Sequence, residues 1–284
     1  MHSTISRRSL SPVVTVDVSR SVYEGLELMS TKNIGSLVVV SQEKPVGILT
    51  ERDVVFAANW MLGQPDLTVG QVMNKEVVTV DKGISFGEAC VIFRDQPVRH
   101  LVVVDRQGHL TGLFTQTTLV QALDKKIFPE EMTVEDLMSR RVWQVTSKTS
   151  ARYALSLMAR HAISGVLVVG AQGPVGFFSE RHVVRLITSG ADLDTCSVGE
   201  TSLSEACDIT GRAHPVQAIN LMKKKSVRRL LVRNAQGEIA GVLSKTDLSR
   251  NLDCGRVPEG LPELSVRAAA SVAASADAGL RPQV

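Results

Sequence analysis

Two segments of the chain combine a hydroxyl and a carboxylate at the start of a predicted helix. They are Thr50-Glu51-Arg52-Asp53 and Ser244-Lys245-Thr246-Asp247. A carboxylate can accept two hydrogen bonds from a diol, and the free N–H groups of a helix N-terminus attract phosphate. The same spacing is that of a capping box, which stabilises a helix by about 1 kcal/mol. The residue types allow both roles.

Two further segments keep the hydroxyl but lack the carboxylate. Thr115-Gln116-Thr117-Thr118 ends in threonine, and Ser179-Glu180-Arg181-His182 ends in histidine. All four segments begin with Thr or Ser, as capping alone would require. The sequence allows two possibilities for these two segments: they bind no ligand, or they hold a ligand in another way.

Basic residues stand directly before a short apolar run at two places, Arg99-His100 and Arg228-Arg229. Arginine suits phosphate because its planar guanidinium donates two hydrogen bonds side by side. The alternative is a solvated, cation-capped helix end, and we favour it for Lys223-Lys224-Lys225 just upstream. For Arg228-Arg229 we favour a phosphate contact.

A fourfold repeat positions all of these residues. Apolar runs at 37–40, 101–104, 166–169 and 230–233 recur at steps of 64 or 65 residues. Each is followed by a second strand segment that begins with glycine and ends with Thr or Ser. Copies one and three, like copies two and four, are 129 residues apart, so a two-copy unit was duplicated whole. A fixed period of this kind indicates a repeat architecture.

Each copy predicts the order strand, helix, strand, strand, helix. In copy one the pattern predicts strands at 13–16, 37–40 and 46–49, with helices at 21–32 and 50–61. Copy two covers 77–123, copy three 142–187 and copy four 208–252, and helical lead-ins at 68–73 and 133–138 are expected to pack on the preceding copy. A copy of about 60 residues cannot bury both faces of its sheet, so pairing is expected.

Composition and motifs narrow the class of protein. The chain has 284 residues, 44% of them hydrophobic, and a net charge of +3. That charge gives no support for a nucleic-acid or membrane partner, and no apolar stretch approaches the roughly 18 residues of a membrane span. The motifs of P-loop, dinucleotide-binding and serine-hydrolase enzymes are absent. Neither catalysis nor a metal site is expected.

The cysteines bear on the compartment. Cys90, Cys196, Cys207 and Cys254 form no C-x-x-C pair and no regular ladder. They are expected to be reduced thiols, which indicates an intracellular protein. The N-terminal segment lacks the apolar region of a signal peptide. A cytoplasmic location is the resulting expectation.

With its length, element order and closing G-h-h-[ST]-x-x-D segment (h, hydrophobic), each copy resembles the cystathionine β-synthase (CBS) domain. The resemblance covers about residues 10 to 252, and four copies in two pairs are similar to the two Bateman modules of the γ subunit of AMP-activated protein kinase. It implies an α/β (α+β) fold in which four β-α-β-β-α copies pair into two modules that form a disc. The implied divisions are a lead-in at 1–12, module one at 13–124, module two at 125–252 and a flexible tail at 253–284.

The resemblance also implies roles for the site residues. In the clefts between paired CBS domains, the aspartate bonds the ribose hydroxyls, the hydroxyl residue lies near the phosphates, and the bases face the disc centre. The matching candidates are Thr50, Asp53, Arg99, His100, Arg228, Arg229, Ser244, Thr246 and Asp247. AMP, ADP, ATP and S-adenosylmethionine all offer a ribose diol, and no obligatory cofactor is implied.

The expected function is that of a non-catalytic regulator that senses an adenosyl ligand and signals to a separate protein. The alternative is a scaffold or nucleic-acid-associated regulator with degenerate clefts. Whether the disc pairs into a homodimer stays open. Copy four is expected to bind most tightly, because Ser244, Asp247 and both arginines belong to it. Copy one is expected next, with Arg99 or His100 borrowed across the pair.

Overall fold

The computed structural model describes residues 13–96, 98–122, 128–252, 254 and 267–268. Within them, each copy begins with a short strand and ends with a helix, in the predicted order. Copy one contains β1 (Thr15–Asp17), α1 (Val22–Thr31), β2 (Ser36–Ser41), β3 (Lys44–Thr50) and α2 (Glu51–Met61). Copy two follows the short helix α3 (Val69–Val72) and contains β4 (Val78–Asp81), α4 (Phe86–Asp95), β5 (His100–Val104), β6 (Leu110–Thr115) and α5 (Gln116–Ala122).

The second half of the chain repeats these elements. Copy three follows α6 (Val134–Leu137) and contains β7 (Gln144–Thr146), α7 (Ala151–Arg160), β8 (Gly165–Gly170), β9 (Gly173–Ser179) and α8 (Glu180–Thr188). Copy four follows a 3-10 turn (Val198–Glu200) and contains β10 (Asp208–Thr210), α9 (Pro215–Lys224), β11 (Arg229–Arg233), β12 (Ile239–Ser244) and α10 (Lys245–Arg250). The two-residue strand β13 (Arg267–Ala268) follows.

Each copy forms one small sheet whose central strand is the predicted apolar run. The first strand of the copy runs parallel to it and the third runs antiparallel. In copy one, Leu37, Val38 and Val39 are at most 1% exposed, because their sheet is covered on both faces. The predicted buried strands are therefore confirmed.

The copies pack against one another in two directions. Within a module, sheet faces share an apolar cluster, as in the contact of Val38 and Ile48 of copy one with Val102 of copy two. Across modules, helices of copy one pack on helices of copy three, and helices of copy two pack on a helix of copy four. Helices α1 and α2 pack against α7 and α8, and α4 and α5 pack against α10. This places each copy beside its module partner and its counterpart 129 residues away, and the expected disc is confirmed.

One expectation about the lead-in helices is wrong. Helix α3 packs on copy one, as predicted, but α6 crosses to copy four. There the Val134 N–H donates to Ala213 O at 2.8 Å and the Glu135 N–H donates to Gly211 O at 2.9 Å. Helix α6 therefore packs on copy four, which belongs to the same module as the copy that follows α6, and not on copy two, which precedes it.

The expectation of four reduced cysteines is also wrong. Cys90 on α4 and Cys254 after α10 form a disulfide, with Cα atoms 5.8 Å apart. Cys196 and Cys207 are free thiols. The sequence separation of 164 residues hid a pair that the packing of copy two on copy four brings together. A cytoplasmic location stays a prediction, without the support of reduced thiols.

The ends of the chain lie mostly outside the described residues. This holds for the lead-in at 1–12 and for most of 253–284, so the flexibility of the tail stays a prediction. Two described residues of that segment, Arg267 and Ala268, pair antiparallel with Thr79 and Val78 of β4. Among the described helices none has the length and apolar character needed to cross a membrane.

Candidate functional site

The hydroxyl–carboxylate segments of copies one and four both form capping boxes. Oδ2 of Asp53 accepts the Thr50 N–H at 2.8 Å and the Thr50 hydroxyl at 2.6 Å. Oδ2 of Asp247 accepts the same groups of Ser244 at 2.7 and 2.6 Å. The described residues give no hydrogen bond to the other carboxylate oxygen of either aspartate. Capping thus uses one oxygen, and the second can still accept from a diol.

The two aspartates differ in their electrostatic surroundings. Burial raises the pKa of Asp53, while hydrogen bonds from Thr50 and then the charge of Arg99 oppose that rise. Arg99 therefore lies close to the copy-one motif, as the expected borrowing across the pair requires. Thr246 lies within the copy-four segment, and its carbonyl accepts the Ser249 hydroxyl at 2.9 Å.

In copy three a histidine replaces the aspartate as the capping group. Nδ1 of His182 accepts the Ser179 N–H at 2.9 Å, which leaves Nε2–H to donate to Ser202 O at 3.0 Å. Burial lowers the pKa of His182 to about 4, so the ring is neutral near pH 7. The packing around this helix start leaves His182 only 4% exposed. In copy two, the hydroxyl groups of Thr118 and Thr115 lie 2.9 Å apart, and the Thr118 N–H donates to the Thr115 hydroxyl oxygen at 3.0 Å.

Two buried glutamates at the module interface escaped the sequence analysis. Glu51 and Glu180 are 4% and 5% exposed. Arg181 of copy three pairs with Glu51 at 2.7 Å, and Arg52 of copy one pairs with Glu180 at 2.9 Å. The 129-residue step relates both glutamates and both arginines, so the identical Glu-Arg dipeptides of the odd copies were the available signal.

The arginines of the even copies reach the same glutamates from the other module. Arg99 of module one lies 3.6 Å from Glu180 of module two, and Arg228 of module two lies 3.2 Å from Glu51 of module one. Arg99 and Arg228 thus both lie at the interface between the modules, while their contact with a phosphate stays a prediction. Together with Arg229, these residues form what we call the central cluster, namely Glu51, Arg52, Arg99, Glu180, Arg181, Arg228 and Arg229.

Arg229 differs from the other four arginines of the cluster. Its guanidinium donates to the carbonyl and hydroxyl oxygens of Ser164, and it has no carboxylate partner within the part of the chain that the structure describes. Burial lowers the pKa of Arg229 to about 10, so it keeps its charge at neutral pH. Gly165 provides the room, since a Cβ there would lie 3.0 Å from the Arg229 guanidinium carbon.

His100 is the one predicted base that carries no charge here. Burial, and then the charges of Arg99 and Arg228, lower its pKa to about 3. The positive charge of the central cluster therefore comes from arginines. Its five arginines exceed its two glutamates by three charges.

A cavity beside the central cluster lies between copies three and four and contains the copy-three motif, and we call it the copy-three cavity. It measures about 520 Å³ including the open solvent at its mouth, and its lining includes Ser164, Ser179, Ser204, Arg228 and Arg229. Ser244 and Asp247 are not part of the lining. Arg228 and Arg229 thus share this cavity with the copy-three motif, whereas we expected them to serve copy four. No group of described His, Cys, Asp or Glu side chains is arranged to hold a metal ion.

Comparison with known families decides the identity of the fold. The model of the CBS domain matches four times, at residues 5–59, 69–125, 134–189 and 199–253. The chain belongs to the CBS domain family. The matched segments coincide with the four copies, and they include the central cluster.

Relatives of this CBS protein fall into two groups. It is 29% identical over 184 residues to inosine-5'-monophosphate dehydrogenase of Thermoplasma acidophilum, and this match covers 65% of the chain but 29% of that enzyme. It is 25% identical over 249 residues to the uncharacterised protein MJ1404 of Methanocaldococcus jannaschii, with 82% of the chain and 56% of that protein covered. The chain thus spans less than two thirds of these relatives.

Among solved structures, the CBS protein is similar in fold to MJ1225 of Methanocaldococcus jannaschii, a proposed archaeal homologue of γ-AMPK. The TM-score is 0.74 at 19% identity, covering 86% of this chain and 98% of that one. An uncharacterised conserved protein of Pyrococcus horikoshii gives a TM-score of 0.57 at 20% identity, with 86% and 97% covered. Both likenesses concern the fold.

Proposed function

We propose that this CBS protein binds an adenosine nucleotide and regulates a separate protein in response. The observation that carries the proposal is Arg229, a desolvated guanidinium without a carboxylate partner among the described residues. A buried charge is costly unless an opposite charge meets it. Since the central cluster already has three more positive than negative groups, an entering anion would be stabilised there.

The clefts offer different parts of a nucleotide site. Copy one combines Thr50, Asp53 and Arg99, so one cleft can supply a diol acceptor and a phosphate donor. Copy three offers Arg228 and Arg229 beside Ser179, but His182 stands in place of the carboxylate. We therefore rank copy one first for a whole nucleotide, and we expect copy three to favour the phosphate part of a ligand.

We infer a sensor and not a catalyst. The IMP dehydrogenases are matched over 29% or less of their length, for example 22% for the enzyme of Nitrosopumilus maritimus. The enzyme motifs sought in the sequence are absent from it. A purified chain that hydrolyses ATP, with the rate lost on Asp53→Ala or Asp247→Ala, would contradict this inference.

A thermal-shift screen tests the proposal. The full chain is heated with AMP, ADP, ATP, S-adenosylmethionine or adenosine, each at rising concentration. A ligand at about 100 times its dissociation constant adds roughly 2.7 kcal/mol of stability, or several degrees at about 2–4 °C per kcal/mol. A shift with at least one nucleotide that exceeds the adenosine shift supports the proposal. No shift with any of the five refutes it.

A scaffold without ligands is the second candidate function. It is favoured by the ion pairs of the central cluster, since four of the five arginines are already paired with glutamate. An interface that satisfies its own charges needs no ligand for stability. The same screen separates the two, because a scaffold predicts no nucleotide shift at all.

A further inference from the structure

Each glutamate of the central cluster holds its two arginines at unequal distances. Glu51 is 2.7 Å from Arg181 and 3.2 Å from Arg228. Glu180 is 2.9 Å from Arg52 and 3.6 Å from Arg99. In both cases the shorter ion pair is made with an arginine of an odd copy, Arg181 or Arg52. The longer ion pair is made with an arginine of an even copy, Arg228 or Arg99.

Both loosely held arginines lie beside a cleft motif, and the closely held Arg181 also lines the copy-three cavity. Arg99 lies near Asp53 of the copy-one motif, and Arg228 lines the cavity that contains Ser179. Arg228 is also the most exposed of the four paired arginines, since 51% of its side chain is accessible against 23% for Arg181. A phosphate in a cleft would therefore meet an arginine that already has a carboxylate partner.

The competing carboxylate comes from the opposite module. Glu180 of module two holds Arg99 of module one, and Glu51 of module one holds Arg228 of module two. If either arginine turned to a phosphate, its glutamate would keep the shorter bond to Arg52 or Arg181. No buried carboxylate would be left alone, so the exchange avoids the main cost of breaking a buried ion pair.

We propose that Glu51 and Glu180 compete with the phosphate of the ligand for an arginine, Glu51 for Arg228 and Glu180 for Arg99, with each glutamate supplied by the opposite module. The proposal deepens the proposed function and rests on it for the identity of the ligand. When a phosphate binds in one cleft, Arg99 or Arg228 would have to leave its glutamate at the module interface and pair with the phosphate. The glutamates would then raise the ligand concentration needed for a response, and would favour ligands with more phosphate charge.

Isothermal titration of the full chain with pyrophosphate, AMP and adenosine tests this. Glu180→Gln keeps the shape of the side chain and one acceptor oxygen for Arg52, but it removes the charge and the second acceptor oxygen. It should tighten pyrophosphate and AMP binding about tenfold, the equivalent of one charge-assisted hydrogen bond, and leave adenosine unchanged. Glu51→Gln should act in the same way on the copy-three cavity. Asp194→Asn, which removes a surface partner of Arg152, is the matched control and should change nothing.

A second variant guards against misfolding. Glu180→Asp retains the charge but shortens the reach to Arg99, so a smaller gain is expected with the fold preserved. Unchanged or weaker pyrophosphate binding in both Glu180 variants overturns the proposal, because the glutamate would then position the arginine instead of competing for it. Absence of pyrophosphate binding in all variants also overturns it. If the variants gain pyrophosphate affinity but neither AMP nor adenosine binds, the competition stands and the adenosine assignment fails.

Discussion

At the residue scale, Asp53 and Asp247 form a matched pair. Both cap a helix through Oδ2, but only Asp53 has Arg99 close by. Asp53→Ala and Asp247→Ala should each lower the free energy of unfolding by about 1 kcal/mol through loss of the cap. Asp53→Ala should also remove most of the nucleotide-induced rise in melting temperature, measured by differential scanning fluorimetry.

The contrary result would be informative. If Asp53→Ala melts lower without ligand but keeps the full nucleotide shift, Asp53 is a helix cap and has no role in binding. If Asp247→Ala loses more of the shift than Asp53→Ala, copy four is the principal cleft after all.

His182 predicts a specific dependence of stability on pH. Its pKa falls from about 6.5 in the unfolded chain to about 4 when folded. The unfolded state therefore binds more protons between these values, and stability present above pH 6.5 is lost as pH falls toward 4. This histidine can account for at most roughly 3 kcal/mol of that loss.

Urea unfolding at pH 7 and pH 5 measures the effect. His182→Asn keeps an acceptor for the Ser179 N–H but cannot titrate, so its stability should fall less between the two pH values. The exposed His109→Asn is the control and should follow the unaltered chain. Equal pH dependence in His182→Asn and the unaltered chain would refute the role assigned to His182.

At the element scale, the start of β8 must lack a side chain. A Cβ on Gly165 would lie 2.7 Å from Phe178 O and 3.0 Å from the Arg229 guanidinium carbon. Gly165→Ala should therefore lower the free energy of unfolding by about 1–3 kcal/mol through overpacking, and should weaken AMP binding by displacing Arg229. Gly211→Ala, where the nearest atom would be 3.4 Å away, should cost much less. Chemical unfolding and titration with AMP would show both effects, and equal costs would contradict the assignment.

The sequence predicted the elements well because each copy carries its own periodic pattern. The central strands, for example Leu37 to Val39, are buried as their unbroken apolar runs indicate. It could not place α6, since nothing within residues 133–138 shows that their partner is copy four. The capping boxes were visible, but whether Arg228 and Arg229 serve Ser179 or Ser244 depends on packing between copies.

The ion pairs of the central cluster could not be predicted from any single motif of the sequence. Glu51 and Glu180 are the first residues of α2 and α8, where an acidic residue in the first helical turn has an ordinary explanation. Their burial results from the stacking of α2 and α8 across modules. Only the 129-residue comparison of both Glu-Arg dipeptides could have suggested a shared interface.

At the scale of the whole molecule, one covalent bond ties the two modules. The disulfide joins Cys90 of copy two to Cys254 beyond copy four. A crosslink over so long a loop restricts the unfolded chain, and its removal is expected to cost about 2–5 kcal/mol. Dithiothreitol should therefore lower the melting temperature by several degrees.

Two variants identify the bond responsible. Cys90→Ser should melt at the temperature of the reduced chain and should not respond further to dithiothreitol. Cys196→Ser, which alters a free thiol, should behave like the unaltered chain. A melting temperature unaffected by reduction would show that the crosslink contributes nothing to stability.

The central claim is that the disc binds a nucleotide through arginines gathered at the interface of its modules. Isothermal titration of AMP and adenosine into the full chain and into Arg99→Gln tests it most directly, with the surface variant Arg152→Gln as control. We expect AMP to bind at least about tenfold more tightly than adenosine, and Arg99→Gln to remove most of that difference while Arg152→Gln keeps it. Equal affinities for AMP and adenosine in the unaltered chain, or an AMP affinity untouched by Arg99→Gln, would contradict the account.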